Sequence, residues 1–221
     1  NNKKILKINS VGSIRAGYAL NNILQSNVSL KKDSDFDLCL LSEPHVSLSG
    51  DFPDFPEYSR YVGLITSHCI NYAKNNSKKL IILGKSDIDD DELKTLEILY
   101  YKKIVKDFNF KITFNKKNKF ENYLSMINSK LTIGINSTML REAFIFNRKI
   151  LWCGNITKYE PLKFMTEGIC VLEGLTYKSF ENKVNELLEI NYDEYLDKIQ
   201  NHSSIITINN TFELLNKAIT K

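Results

Sequence analysis

The chain has 221 residues, a length typical of one large α/β domain or of two small ones. Hydrophobic residues make up 43% of it and aromatic residues 11%, which is enough to fill a core and excludes wholesale disorder. The 30 basic and 26 acidic residues give a net charge of +4, and the basic ones are scattered. Charge therefore does not indicate nucleic-acid binding, although it permits a weak attraction to an anionic membrane surface or a phosphate ligand.

The cysteines give no sign of a metal site or of a disulfide framework. They are widely spaced in apolar segments, at Cys39, Cys69, Cys153 and Cys170. Without a Cys-x-x-Cys pair or a Cys/His cluster, buried reduced thiols are expected.

The sequence has neither a long apolar run nor a signal peptide, so we expect a cytoplasmic protein. It begins Asn-Asn-Lys-Lys without Met, and we expect a fragment of a longer protein.

Short β-rich runs alternate with longer helical patterns along the chain. Strands are predicted at 5–11, 36–41, 80–83, 110–114, 131–135, 149–152 and 169–172, and helices at 13–24, 58–72, 93–104, 119–127, 137–146, 177–190 and 192–200. This alternation predicts an α/β fold with a Rossmann-like, doubly wound, mainly parallel sheet. We expect one domain over 1–221, in which 177–221 forms the C-terminal helices.

Two of the predicted helices carry an apolar stripe that we expect to face the core. The stripe of the first consists of Tyr58, Tyr61, Val62, Ile65, Cys69 and Tyr72, and that of the second of Leu93, Leu96, Tyr100 and Ile104. His68 falls in the middle of the first helix, where a packed side chain is the ordinary expectation.

Ligands of an open parallel sheet bind outside the carboxyl ends of its strands. Small, hydroxylated and basic side chains follow two of the predicted strands: Gly12, Ser13 and Arg15 after the first, and Asn136, Ser137 and Thr138 after the fifth. Such residues suit an anion held by backbone N–H groups at a helix N-terminus.

Glu142 lies four residues beyond Thr138 and therefore on the same face of the predicted helix. A carboxylate at this position could accept hydrogen bonds from ribose hydroxyls. The alternative is that Ser137 and Thr138 only cap the helix, while Glu142 pairs on the surface with Arg141 or Lys149. Spacing alone leaves both readings open.

The long loop after the second strand, 43–56, is a second place for functional side chains. Glu43 and His45 lie at its start and are candidates for a general base. His45 is also a candidate hydrogen-bond donor to a phosphate. A single histidine is more often an ordinary residue than a catalytic one. The other histidine outside a predicted helix, His202, is near the C-terminus.

Two acidic clusters, 33–37 and 87–91, contain the Asp-x-Asp spacing that can hold a divalent ion. The second cluster is explained as the start of a helix, and the first precedes a strand rather than following one. We therefore predict no metal site. Neither the dinucleotide fingerprint nor the P-loop motif occurs, which argues against those nucleotide-binding classes.

Taken together, these motifs resemble the C-terminal, donor-binding half of a GT-B glycosyltransferase, and more narrowly bacterial surface carbohydrate biosynthesis proteins. The similar stretches are VGSIRAGY at 11–18, FDLCLLS at 36–42, IGINSTMLREAFIFNRKILW at 133–152, EGICVL at 167–172, YKSFENKV at 177–184 and INYDEY at 190–195. They are spread over most of the chain.

The resemblance implies a domain that binds a nucleotide-activated sugar for lipopolysaccharide or capsule synthesis. It implies that Glu142 holds the nucleotide ribose, that Ser137 and Thr138 lie under the donor phosphates or sugar, and that the loop with Gly12, Ser13 and Arg15 contacts phosphate. It further implies a glycan or lipid-linked acceptor, no bound metal or other cofactor, peripheral association with the inner membrane, and a separate N-terminal domain without which the chain is inactive. The spaced pair of glutamates found in many retaining members is absent, because the residue that would match the first is Gly134.

Two rival functions remain on the same architecture. One is a nucleotide-sugar epimerase, which would need acid and base groups around the sugar, with Glu43, His45 and Glu167 as the few candidates. The other is a non-catalytic binding or regulatory domain of flavodoxin-like type. A receiver domain of that type needs acidic residues where this chain has Gly-Ser and Gly-Lys.

Overall fold

The computed structural model describes residues 14–25, 34–43, 56–87, 89–105, 110–115, 120–154 and 168–200. The predicted first strand, at 5–11, lies outside these ranges, as do the last residues of the predicted C-terminal region.

Five parallel strands form a single sheet in the described part of the chain. They are β1 (Phe36–Leu41), β2 (Leu80–Asp87), β3 (Lys111–Asn115), β4 (Ser129–Gly134) and β5 (Lys149–Trp152). Their order across the sheet is β3-β2-β1-β4-β5, and every neighbouring pair is parallel. From β1 the chain adds β2 and β3 on one side, and it then returns to add β4 and β5 on the other side of β1. The topological switch point therefore lies between β1 and β4.

Helices connect and flank the strands, which confirms the predicted Rossmann-like α/β class. They are α1 (Ile14–Gln25), α2 (Pro56–Asn75), α3 (Asp91–Val105), α4 (Glu121–Ile127), α5 (Thr138–Glu142), a 3₁₀ turn (Ala143–Phe146), α6 (Tyr177–Glu189) and α7 (Tyr192–Gln200). Contacts divide them into two groups, because α2 touches α3 and α6, whereas α1 and α4 both touch the 3₁₀ turn. Within the described ranges, no helix is both long and apolar enough to cross a lipid bilayer.

The core forms where the sequence is most continuously apolar. Residues 38–41 of β1 are buried, as expected for a strand covered on both faces. The α2 stripe faces this sheet as predicted, with Ile65 and Cys69 fully buried. His68 is packed as expected, and its Nε2 lies 2.8 Å from the carbonyl oxygen of Leu175.

Helix α3 presents a different face from the one predicted. Its buried residues are Glu97, Tyr101 and Val105, whereas the predicted stripe, which includes Leu96 and Tyr100, is only partly buried. The rotation places a glutamate in the core, and this is possible because its carboxylate finds hydrogen-bond donors at the ends of two strands.

Two strand boundaries also differ from the prediction. Strand β2 does not end at Gly84 but continues to Asp87, with a shift of its register against β3 between Leu83 and Asp87. The strand predicted at 169–172 is reduced to an isolated bridge between Val171 and Trp152. The short apolar run there is buried, but it is not extended enough to pair along its length.

All four cysteines are free and buried, as predicted, and burial changes their acidity. It raises the pKa of Cys39 to about 12, with the nearby hydroxyls of Thr132 and Ser129 acting in the opposite direction. Burial also raises the pKa of Cys170 to about 12. In the unfolded chain both thiols regain a pKa of about 8.5, so the unfolded state loses protons that the native state keeps.

The free energy of unfolding should therefore be intact below about pH 8.5 and fall as the pH rises towards 12. We expect a loss of about 2 kcal/mol per thiol at pH 10, measured by urea unfolding at pH 7.5 and pH 10. Replacing Cys39 with Ala should make the decrease smaller. A decrease of the same size in the parent and in Cys39→Ala would contradict this assignment.

Candidate functional site

The end of β1 and the loop after β4 meet at the switch point, where the fold predicts a ligand crevice. Strand pairing stops at Gly134 on one side and Leu41 on the other. Beyond those residues the backbone N–H groups need new acceptors, because buried donors are costly to leave unpaired. The next residues along β1 supply them.

Glu43 joins the two strand ends through its carboxylate. Its Oε1 accepts hydrogen bonds from the backbone N–H groups of Ile135 at 3.1 Å, Asn136 at 2.7 Å and Ser137 at 3.1 Å. Its Oε2 accepts one from the Tyr58 hydroxyl at 2.5 Å. The side chain is nearly buried, with 8% of the residue exposed. We call the three N–H groups of residues 135–137 the amide cradle.

The charge of Glu43 affects its neighbours. Burial raises the pKa of the Tyr58 hydroxyl far above its usual range, and the negative charge of Glu43 raises it further. The pKa of Tyr61 is raised as well, by burial and by the nearby Cys153 and Glu43. The Tyr61 hydroxyl donates to the carbonyl oxygen of Cys153. A second negative charge is therefore disfavoured in this part of the crevice.

The residues after the cradle begin α5. Ser137 is its N-cap, with an extended backbone and a side chain that accepts from the N–H of Met139 at 3.3 Å. Thr138 is exposed, while Asn136 and Ser137 are partly exposed. Capping by Ser137 is thus present, in agreement with one of the two sequence interpretations.

Glu142 lies at the end of α5 and is largely buried, with 7% of the residue exposed. Its Oε2 accepts a hydrogen bond from the Tyr123 hydroxyl at 2.6 Å. Lys149, proposed as a surface partner, instead donates from its Nζ to the carbonyl oxygen of Ile190 at 2.7 Å. The carboxylate of Glu142 is therefore positioned by α4, and its role towards a ribose stays a prediction.

A second buried carboxylate, Glu97, was not predicted as part of the site. It is completely buried. Its Oε1 accepts from the N–H of Lys85 at 3.0 Å and from the Ser42 hydroxyl, and its Oε2 accepts from the N–H and hydroxyl of Ser86 at 3.0 and 2.6 Å. Tyr101 donates to the Ser42 hydroxyl oxygen at 2.8 Å. Glu97 thus joins β1 to the irregular end of β2.

One signal in the sequence could have revealed Glu97. It is followed at four-residue intervals by Tyr101 and Val105, and a glutamate beginning such an apolar row is a candidate for burial. The neighbouring row, Leu93, Leu96, Tyr100 and Ile104, consists only of apolar and aromatic residues. It is therefore the row that the sequence pattern predicts to face the core.

Trp152 fixes the loop after β4 from its other side. Its indole Nε1 donates to the carbonyl oxygen of Ile135 at 2.6 Å, and its side chain is fully buried. Gly154 passes so close that an added Cβ would lie 2.3 Å from this Nε1 and 2.7 Å from the Ile135 oxygen. The absence of a side chain at Gly154 is therefore a condition of this hydrogen bond.

Several predicted site residues cannot be compared with this geometry. Gly12, Ser13 and His45 lie outside the described residues. Arg15 belongs to α1, but its side chain is likewise outside the description. No group of three or more His, Cys, Asp or Glu side chains suited to a metal ion occurs among the residues that the structure describes.

Replacing Glu97 with Ala should lower the free energy of unfolding by about 4 kcal/mol, because two hydroxyls and two backbone N–H groups lose their acceptor. Urea unfolding measures the loss. Glu92→Ala is the matched control, since Glu92 is an exposed carboxylate on the same helix. Equal losses in the two variants would show that the buried contacts of Glu97 contribute little.

Replacing Gly154 with Ala should lower the free energy of unfolding by about 2 kcal/mol, because the methyl group displaces either the buried indole or the loop after β4. Gly63→Ala in α2 is the control. Its added Cβ would meet only the Tyr100 hydroxyl, at 3.7 Å, and alanine is the better helix former. If thermal unfolding shows the two variants to be equally stable, the close approach at Gly154 is not a constraint.

No protein-family model and no curated protein sequence matches the chain. Its structure is similar to that of a UDP-GlcNAc 2-epimerase from Neisseria meningitidis bound to UDP-GlcNAc, with 10% sequence identity and a TM-score of 0.49. The match covers 93% of this chain and 52% of that one, so the chain spans about half the length of the epimerase. At this identity and TM-score, the likeness carries no argument about ligand or reaction.

Proposed function

We propose that the chain binds a nucleotide-activated sugar at the switch-point crevice, as the donor-binding domain of a glycosyltransferase that builds a surface polysaccharide. The observation that carries the proposal is the loop after β4, which is held in place at the ligand edge of the sheet by Glu43. This edge is where open parallel sheets bind their ligands. The motif resemblance at 133–152 covers the same loop and supports the same site.

Within this proposal, Glu142 accepts hydrogen bonds from the ribose hydroxyls. Its carboxylate is already oriented by the Tyr123 hydroxyl at 2.6 Å, and an oriented acceptor loses less freedom when a ligand binds. Asn136 and Thr138, at the start of α5, offer further polar side chains that are at least partly exposed. The loop with Gly12, Ser13 and Arg15 is proposed to contact the phosphates, without a metal ion.

The proposed reaction is attack of an acceptor hydroxyl on the anomeric carbon of the donor. The bond from that carbon to the phosphate oxygen breaks, and the nucleotide leaves with the bonding electrons, stabilised by N–H dipoles and basic side chains. In the described part of the chain, the nearly buried carboxylate of Glu43 accepts hydrogen bonds from four donors. This arrangement suits a role in positioning the loop after β4 better than a role in removing a proton. We propose that His45 is the general base and that the acceptor is a glycan or a lipid-linked molecule. We also propose that the chain acts together with a partner domain and at a membrane surface.

The test is a thermal-shift panel of the chain against UDP-, GDP-, CMP- and dTDP-linked sugars without metal. A ligand that binds only the folded state raises its stability, by about 2.7 kcal/mol at a hundredfold excess over Kd. We expect one nucleotide class to raise the melting temperature of the parent and to lose its effect in Glu142→Gln.

Tyr123→Phe is the matched control, because it removes the hydrogen bond to Glu142 but leaves the carboxylate. It should keep a response to the ligand that is weaker than that of the parent, because the carboxylate is present but less well oriented, and its starting stability should be lower. If Glu142→Gln and Tyr123→Phe respond as the parent does, Glu142 does not contact the ligand. If no nucleotide sugar shifts the parent, the donor-binding proposal for this chain is wrong.

Product analysis separates the two enzyme classes. A transferase releases the nucleotide only when an acceptor is present, whereas an epimerase converts one nucleotide sugar into another with no acceptor at all. Incubation of the protein with the donor found by the panel, with and without candidate acceptors, distinguishes the two classes by chromatography of the nucleotides. Conversion in the absence of acceptor would favour the epimerase.

A further inference from the structure

The amide cradle at 135–137 is already occupied by an anion, and that anion belongs to the chain itself. Three converging backbone N–H groups are an arrangement that ordinarily binds a phosphate or a carboxylate. Here all three point to one oxygen of Glu43, at 2.7 to 3.1 Å. An incoming phosphate would have to take these same three donors from a nearly buried side chain.

We propose that Glu43 sets the specificity of the crevice: by filling the amide cradle it excludes phosphate from this position and leaves it to a hydroxyl-bearing part of the ligand, the sugar or the ribose. The identity of that ligand rests on the proposed function. The exclusion of phosphate from the cradle rests only on the contacts of Glu43.

Charge supports this exclusion. The groups that contact Glu43 in the described part of the chain are three backbone amides and the Tyr58 phenol, all of them neutral. Its negative charge is therefore not cancelled by a cation there, and a phosphate placed alongside would meet a like charge in a poorly hydrated site. The raised pKa values of Tyr58 and Tyr61 have a contribution from the same charge.

Hydrogen-bonding capacity supports the preference for hydroxyls. A carboxylate can accept about four hydrogen bonds. Three donors share Oε1, whereas among the described residues Oε2 accepts from Tyr58 alone, so a further hydrogen bond is more easily made at Oε2. A sugar or ribose hydroxyl can donate to that position. The phosphate groups that link a nucleotide to its sugar are esterified and ionised at neutral pH and have no proton to donate, so they gain no hydrogen bond from Oε2 and find the cradle already occupied.

The test removes the internal anion and asks whether an external one replaces it. Glu43→Ala vacates the cradle, and sodium phosphate or sodium acetate is titrated against sodium chloride at matched ionic strength. Tyr58→Phe is the control, since it removes one donor but leaves the carboxylate in place. Melting temperature reports stabilisation, and the ¹H–¹⁵N resonances of Ile135, Asn136 and Ser137 report where the anion binds.

In Glu43→Ala we expect saturable stabilisation by phosphate and acetate, with shifts at the three cradle amides, and a dissociation constant at least about tenfold below the highest anion concentration at which the parent still shows no saturation. Tenfold is about the effect of a single hydrogen bond to a charged group. The parent and Tyr58→Phe should show no saturable response at these amides. Saturable binding of phosphate to the cradle of the parent would overturn the proposal, as would an unresponsive Glu43→Ala.

Glu43→Gln covers the case in which the alanine variant does not fold. It keeps an oxygen in the cradle but removes the charge, so phosphate affinity should lie between those of the parent and the alanine variant. A parent-like response would then count against exclusion by charge. None of these outcomes uses a nucleotide sugar, so they are independent of whether the donor-binding proposal holds.

A final comparison tests the hydroxyl preference. For a nucleotide sugar that stabilises the parent, Glu43→Ala should bind it about tenfold more weakly, through loss of one hydrogen bond to a charged group, while its affinity for inorganic phosphate rises. Opposite changes for the two ligands would not follow from a purely structural role. If both affinities change in the same direction, Glu43 does not discriminate between hydroxyl and phosphate groups.

Discussion

The contact between the Glu43 carboxylate and the amide cradle is the interaction on which the ligand edge depends. Parallel strands leave their last N–H groups without partners once pairing stops, and here that happens at the switch point. A single oxygen satisfies three of these groups, so one side chain defines the path of the loop after β4. The N-cap Ser137 and the position of α5 follow from that path.

Glu97 joins the ends of β1 and β2 through hydrogen bonds to its carboxylate, as Glu43 joins the ends of β1 and β4. The two carboxylates act on adjacent residues, because Glu97 binds Ser42 and the next residue is Glu43 itself. Three neighbouring strand ends are thus linked at the edge of the sheet where the fold predicts a ligand crevice. Each carboxylate accepts hydrogen bonds from backbone N–H groups and hydroxyls, and these bonds offset part of the free energy of burying it.

Patterns that are local in sequence predicted much of this fold. The continuous apolar run at Phe36–Leu41 and the stripe of α2 carry their own evidence of burial, since period and hydrophobicity are properties of the segment. Strand alternation in turn predicted the parallel sheet and hence the edge at which a site should lie. Ser137 as a helix cap follows from the same local chemistry.

What the sequence did not predict depends on distant partners. The three backbone donors to Glu43 lie 92 to 94 residues further along the chain, so no spacing rule connects them with Glu43, and the sequence indicates only that Glu43 is a catalytic candidate. Glu97 is similar: its burial is favourable only because β1 and β2 end beside α3. The face that α3 turns inward was therefore decided by the hydrogen bonds of one polar residue, against a row of better apolar residues.

The indole of Trp152 has a practical consequence. It is the only tryptophan in the sequence, and its Nε1 is hydrogen-bonded to Ile135, the first residue of the cradle. Emission from a buried indole depends on its hydrogen bonding and on the polarity around it. This chain thus contains a single tryptophan fluorophore, hydrogen-bonded to the loop after β4, and its emission, excited selectively over that of the tyrosines, reports the state of that loop without a label.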